Sequence, residues 1–226
     1  MAFQSKTYAR PLVSLALAVA MFFGAQTEVR AGDSAANDRH TVLITGANRG
    51  LGLEFARQYK EAGWRVIGTA RKPGDAEDLE ALGVRLVQLD VADQESVDRM
   101  AAELAGEPID VLINNAGIFP RVGKIEEIDF EDYNRTLEVN TVGPVRVTRA
   151  LLPNLRQGKL KVIAGLSSNL GSIAENERGN FYGYRESKAA LNMFTKTLAA
   201  ELGPEGFICV VLTPGWVQTD MGGPNA

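Results

Sequence analysis

Histidine and cysteine are each present once, as His40 and Cys209, among 226 residues. A lone cysteine excludes an intramolecular disulfide and any cysteine-rich metal cluster. A lone histidine leaves no room for a zinc site built from several imidazoles, and a His-dependent triad would rest on His40 alone. No metal site is therefore expected, and chemistry falls to Ser, Tyr, Lys, Asn or carboxylates. Basic surplus is also lacking, since 24 Lys and Arg face 28 Asp and Glu for a net charge of -4. Nucleic acid is therefore not an expected partner. With 45% hydrophobic and 23% charged residues, the composition is that of a globular chain able to bury one large core.

One long apolar run occurs, from Leu12 to Ala25, preceded by Lys6 and Arg10. This is the layout of a secretory leader, and the run is short for a membrane helix, which needs about 20 apolar residues. Val29-Arg30-Ala31 offers small residues where a signal peptidase reads, so residues 1–31 are expected to be a signal peptide, with Ala25 as a competing cleavage site. An uncleaved anchor, an organelle presequence or a misassigned start are the other readings of the same run. Export to a periplasm or beyond is the expected localisation, with cytoplasmic the alternative, and no stable membrane span is expected after cleavage. Loss of residues 1–31 would leave the mature part more acidic, at -6. Residues 32–40 are small and polar and read as a linker to a domain over 41–226.

From Thr41 onward, short β-rich runs alternate with amphipathic stretches. Strands are expected at Thr41–Ile44, Arg65–Thr69, Val84–Leu89, Ile109–Ile113, Lys161–Leu166 and Phe207–Leu212. Helices are expected at Gly50–Ala62, Ala76–Leu82, Gln94–Leu104, around Phe130–Leu152, and at Tyr184–Leu202. Apolar strands joined by helices imply an α/β fold, a doubly wound parallel sheet in a three-layer, Rossmann-like sandwich. Ligands of such sheets sit beyond the carboxyl ends of the strands.

The first strand runs into Thr45-Gly46-Ala47-Asn48-Arg49-Gly50-Leu51-Gly52 and then a helix. Gly46 permits the tight turn, Gly50 lets backbone approach a pyrophosphate, and Gly52 lets helix and sheet pack closely. The second strand ends at Ala70 where an NAD site would present an acid to the ribose, and Arg71 and Lys72 follow. With Arg49, Arg71 would clamp a 2'-phosphate, so NADP(H) is favoured and NAD(H) is less so. Asp90 and Val91 close the third strand and would face the adenine. Asn115, Ala116 and Gly117 close the fourth.

Tyr184 and Lys188 stand four apart in an expected helix, so they share one face. A free phenol titrates near ~10, and a nearby ammonium favours the phenolate. Tyr182 is the nearest rival, but Lys188 is six residues from it. Ser167 and Ser168 follow the fifth strand, and Pro214-Gly215 follows the sixth.

These motifs, in this order over about Thr41 to Met221, resemble the short-chain dehydrogenase/reductase family. The resemblance implies that Ser168 hydrogen-bonds a substrate carbonyl and Tyr184 donates or takes a proton. It gives Lys188 the task of lowering the Tyr184 pKa and holding the nicotinamide ribose. Asn140, in Leu137-Glu138-Val139-Asn140-Thr141, matches the family's helix asparagine that holds a water in the proton relay. Ser168 is preferred to Ser167 because the second serine is the catalytic one in relatives with this motif. Pro214, Gly215, Val217 and Thr219 would wrap the nicotinamide.

Gly171-Ser172-Ile173, Tyr182-Gly183-Tyr184-Arg185 and Pro214 to Met221 are similar to the sniffer-type and C-factor-type carbonyl reductases, as is the longer gap between Ser168 and Tyr184. The implied activity is hydride transfer between NADPH and an aldehyde or ketone, or the corresponding alcohol, in a possible homodimer or homotetramer. The alternative the likeness allows is an NAD(P)-binding signalling or interaction protein with little turnover. Relatives continue past the sixth strand into a seventh strand and a substrate-covering lobe, so both are expected to be missing from a chain that stops at Ala226. Substrate-selecting residues are expected in the loop after Gly117, where Phe119 and Arg121 stand, with Trp216 nearby.

Overall fold

The computed structural model describes residues 39–223. The leader and most of the linker, residues 32–38, fall outside the described residues. Six strands form one fully parallel sheet: β1 (Thr41–Ile44), β2 (Arg65–Ala70), β3 (Arg85–Gln88), β4 (Val111–Asn114), β5 (Val162–Leu166) and β6 (Ile208–Leu212). Their spatial order is β3-β2-β1-β4-β5-β6, so the winding direction reverses between β1 and β4. That reversal opens the crevice in which ligands of such sheets bind.

Side chains alternate across each strand, and the register lines them into rows. Ile67, Leu43, Leu112 and Ile163 stand opposite one another and join one core layer. Val66, Val42, Val111 and Val162 form the next row and enter the layer on the other face. The first layer is closed by Val97 and Met100 of α3 (Gln94–Glu103) and Val147, Leu151 and Leu155 of α5 (Gly143–Gln157). The second is closed by Phe55, Ala56 and Tyr59 of α1 (Gly50–Glu61) and Leu79 of α2 (Glu77–Ala81). Each such large side chain withdrawn from water contributes about 1.5–3 kcal/mol.

The expected helix around Phe130–Leu152 is corrected in two respects. It is interrupted: α4 (Phe130–Leu137) passes into one wide π turn at Glu138–Val142 before α5 resumes and runs on to Gln157. Pro144, with no N–H to donate, sits in the first turn of α5, where the regular bond pattern is already lost. The last helix, α6 (Tyr184–Leu202), begins after Gly183, whose φ of 77° is the left-handed conformation that glycine tolerates.

At the amino ends of the strands, the buried Asp110 carboxylate accepts N–H groups from Thr41 and Lys159, each at 2.7 Å, tying β1 to the entry of β5. β6 is an edge of the described sheet, with Ile208 and Val211 exposed. Among the described residues no helix is long and apolar enough to cross a membrane.

Candidate active site

A cleft of about 480 Å³ lies beyond the carboxyl ends of the strands. Such a volume is in the range of small-molecule sites. Its floor is the turn between β1 and α1. Gly46 has a φ of 63°, and a Cβ on Gly52 would lie 2.4 Å from the Gly46 carbonyl oxygen. The turn is therefore closed to larger residues at both points. No side chain caps the N-terminus of α1 and no acid stands in its first turn. Its N–H groups and the positive end of the helix dipole are left for an anion.

Asn115 braces this floor. Its amide donates to the carbonyls of Thr45 and Gly46 at 2.8 and 2.9 Å, while Thr45 Oγ1 accepts the N–H groups of Asn115 and Ala116 at 3.0 Å each. Both Asn115 amide protons are thus committed to the loop, and what faces the cleft beside it is Ala116 and Gly117. No local sequence signal marks the bracing role of Thr45, because its partner Asn115 is 70 residues away.

One end of the cleft is lined by Asn48, Arg49, Leu51, Arg71, Lys72, Asp90 and Val91. The Asn48 amide donates to the Asp75 carbonyl at 3.3 Å. Asp90 accepts the Ala92 N–H at 3.0 Å and stands 3.5 Å from Arg135, a cleft residue that no local sequence signal marks. Arg49, largely exposed, lies 3.7 Å from Asp220.

At the other end are Ser167, Tyr184 and Lys188, and Pro214 and Thr219 also line the cleft. Tyr184 and Lys188 are buried in the first turns of α6. The Lys188 ammonium donates to the Leu166 carbonyl at 2.7 Å and lies 5.5 Å from the Tyr184 ring centroid. Burial brings the Lys188 pKa down to about 8. Burial likewise raises Tyr184 above the ordinary phenol value, and its hydrogen bond with Ser168 offsets part of that rise. Among the protein's own groups desolvation thus sets the direction for Tyr184, opposite to the lowering expected from Lys188.

The two serines separate clearly. Ser167 lines the cleft but spends its hydroxyl proton on Asn192 Oδ1 at 2.6 Å. Ser168 caps the short turn Asn169–Gly171 by accepting the Leu170 N–H at 3.1 Å, and its hydroxyl reaches Tyr184.

Asn140 sits in the wide turn, 1% exposed, just behind the cleft. It accepts the Ile118 N–H at 2.8 Å and donates to the Ile118 carbonyl and to Ser187 Oγ. Ser187 in turn donates to the Tyr184 carbonyl at 2.7 Å. Ser187 stands inside the Tyr184 to Lys188 string, but no local sequence signal marks its link to Asn140, 47 residues away. Gly215 and Val217 are not among the residues lining the cleft, whereas Thr219 is, with its side chain against the space a Gly50 Cβ would fill.

Residues 40–226 match the short chain dehydrogenase family. The C-signal of Myxococcus xanthus is 51% identical over 126 residues, covering 56% of this chain and 76% of that protein. The carbonyl reductase Sniffer of D. melanogaster superposes with a TM-score of 0.77 at 35% identity, covering 83% of this chain and 85% of that one. An NADPH-bound carbonyl reductase from chicken fatty liver superposes with a TM-score of 0.75 at 35% identity, covering 82% of each chain.

Proposed function

Since this chain belongs to the short-chain dehydrogenase family, we propose that it is an NADPH-dependent reductase of aldehydes or ketones, working at the Tyr184 end of the cleft. The observation that carries the reading is the meeting of Tyr184, Ser168 and the buried Lys188 at one end of a cleft whose floor is a glycine turn and an uncapped helix N-terminus.

The cradle fits a dinucleotide. Gly52 lets the turn close tightly under the cleft, and the free end of α1 favours a pyrophosphate. Arg49 and Arg71 would hold a 2'-phosphate at the far end, where Ala70 stands in place of an acid. NADP-bound structures among the similar proteins support the same preference. When bound, the reduced nicotinamide supplies hydride to the carbonyl carbon.

The protein's own groups manage the oxygen. Ser168 and Tyr184 hydrogen-bond the carbonyl, and Tyr184 gives it a proton as charge develops there. Hydride and proton together convert carbonyl to alcohol. Lys188 then favours the phenolate that remains, and the buried setting strengthens that attraction. Asn140 and Ser187 hold the start of α6 against the loop after β4, so that Tyr184 keeps its place.

A second reading is an NAD(P)-binding signalling protein with little turnover, and the likeness to the C-signal favours it. One assay separates the two: NADPH oxidation by the purified chain against a panel of aldehydes and ketones. Turnover with any of them supports the reductase, while NADPH binding without turnover supports the second reading.

A further inference from the structure

We propose that the substrate carbonyl is carried on an aromatic ring that bears an anionic group, such as a carboxylate, at the end remote from the carbonyl. This rests on the reductase reading above and gives it a substrate class.

Two loops build the wall beside Tyr184. Phe119, in the loop after β4, lines the cleft with its ring centroid 4.4 Å from that of Tyr184, tilted by 52°. Phe181, in the loop before α6, lies 5.3 Å from Phe119 at a tilt of 50°. The Phe181 N–H donates to the Val122 carbonyl at 2.7 Å, which locks the two loops together. Asn180 and Phe181 adopt φ values of 60° and 56°, a left-handed conformation that a bulky residue avoids unless its surroundings impose it. Arg185 imposes it by donating from Nε to the Asn180 carbonyl at 3.0 Å. The aromatic pair is therefore held against local preference, with Phe119 lining the cleft beside Tyr184 and Phe181 packed behind it. A planar aromatic guest meets such a wall in offset or edge-to-face contact, which an aliphatic chain of equal size does not reproduce.

A cation stands beside Phe119. The Arg121 guanidinium lies 5.8 Å from the Phe119 centroid, is exposed, and gives one N–H to the Met221 carbonyl at 3.2 Å. Among the described residues no carboxylate lies within ion-pair distance of it, whereas Arg57, Arg65, Arg85 and Arg156 each hold a glutamate. Its remaining donors form a planar fork suited to a carboxylate. Phe119 neighbours both Tyr184 and Arg121, so a benzene ring laid against it with the reacting group at Tyr184 would offer an anion at its other end to the Arg121 guanidinium.

The test compares 4-carboxybenzaldehyde, its methyl ester and cyclohexanecarboxaldehyde as substrates of the full chain with NADPH. The acid is expected to exceed the ester in kcat/KM by about tenfold or more, as one charge-assisted pair provides. Arg121→Gln keeps an amide donor for Met221 and removes the charge, so the acid-to-ester ratio should fall to near one. Phe119→Leu should reduce the preference for benzaldehydes over the cyclohexane aldehyde. Equal kcat/KM for acid and ester in the intact chain would overturn the proposal while leaving the reductase reading standing. Binding of 4-carboxybenzyl alcohol and its methyl ester to the protein with NADP, followed by calorimetry, gives a readout free of turnover. Tighter binding of the acid by tenfold, lost in Arg121→Gln, supports the subsite even if no aldehyde is reduced, an outcome that would sink the reductase reading alone. Equal binding of acid and ester overturns the subsite.

Discussion

Lys188 donates a 2.7 Å hydrogen bond to the carbonyl of Leu166, the last residue of β5, so the buried cation of α6 is anchored to the sheet itself. The side chain cannot swing toward solvent without giving up that bond, which accounts for a lysine that is 5% exposed. A cation so placed is costly, and the pKa brought down to about 8 expresses that cost.

Lys188 titrates near ~10.4 in the unfolded chain and at about 8 when folded. Between these values the unfolded state holds more protons, so the unfolding free energy rises with pH. Below pH 8 both states are protonated and the folded protein bears the full burial penalty. Relative to Lys188→Met, the native chain should therefore gain stability from pH 7 to pH 9.5. Urea unfolding of both at the two pH values checks this, and a constant difference would refute it.

Rate should run the other way. Tyr184 lies above the ordinary phenol range, so it stays protonated and able to donate, while the Lys188 charge is lost as pH passes about 8. In the reductive direction kcat/KM for NADPH, which reports the free protein, should decline above pH 8. In Lys188→Met that decline should vanish, on a rate lowered by about 100-fold.

Tyr184→Phe removes the proton donor and leaves the ring that packs on Phe119. Carbonyl reduction should drop by about 100-fold to 10,000-fold, with the NADPH dissociation constant changed by less than about threefold. Steady-state kinetics beside calorimetric titration measure the two effects separately.

Cofactor choice should turn on Arg71. Replacing it with Ala is expected to weaken NADPH binding by about tenfold or more and to leave NADH binding nearly unchanged, because only the former carries the 2'-phosphate. An equal loss for both cofactors would place the 2'-phosphate elsewhere.

Gly52→Ala should be poorly tolerated. Its Cβ would lie 2.4 Å from the Gly46 oxygen, 2.6 Å from Asn115 Nδ2 and 2.9 Å from Ala47 Cα. Overpacking against backbone costs about 2 kcal/mol, a fall in Tm of about 5 °C. Gly74→Ala, with no atom within 4 Å of the new Cβ, should shift Tm by about 1 °C at most.

Much of the fold was legible from periodicity alone. The apolar run at Thr41–Ile44 and the amphipathic stretch at Tyr184–Leu202 coincide with a strand and a helix end to end, because their neighbours in sequence carry turn glycines or polar loops. The helix expected from Phe130 was not legible in full, since one wide turn leaves the apolar pattern almost intact while it changes the hydrogen-bond ladder. In the site, the Thr45 to Gly52 turn and the Tyr184 and Lys188 pair could be read because strand, turn and helix impose fixed local spacings. Arg135 beside Asp90 could not, since those two are 45 residues apart and no spacing rule links them.

The sequence by itself determined the parallel sheet, the anion-receiving turn and the helix that sets Tyr184 and Lys188 on one face, because these follow from periodicity and from the conformational range of glycine. Only the tertiary structure decided that Ser167 turns to Asn192 while Ser168 reaches Tyr184, which residues brace the turn, and that Phe119 neighbours both Phe181 and Arg121. Those outcomes depend on loops from distant points of the chain meeting at the carboxyl edge of the sheet, where packing and desolvation, rather than local spacing, set each side chain's partner and charge.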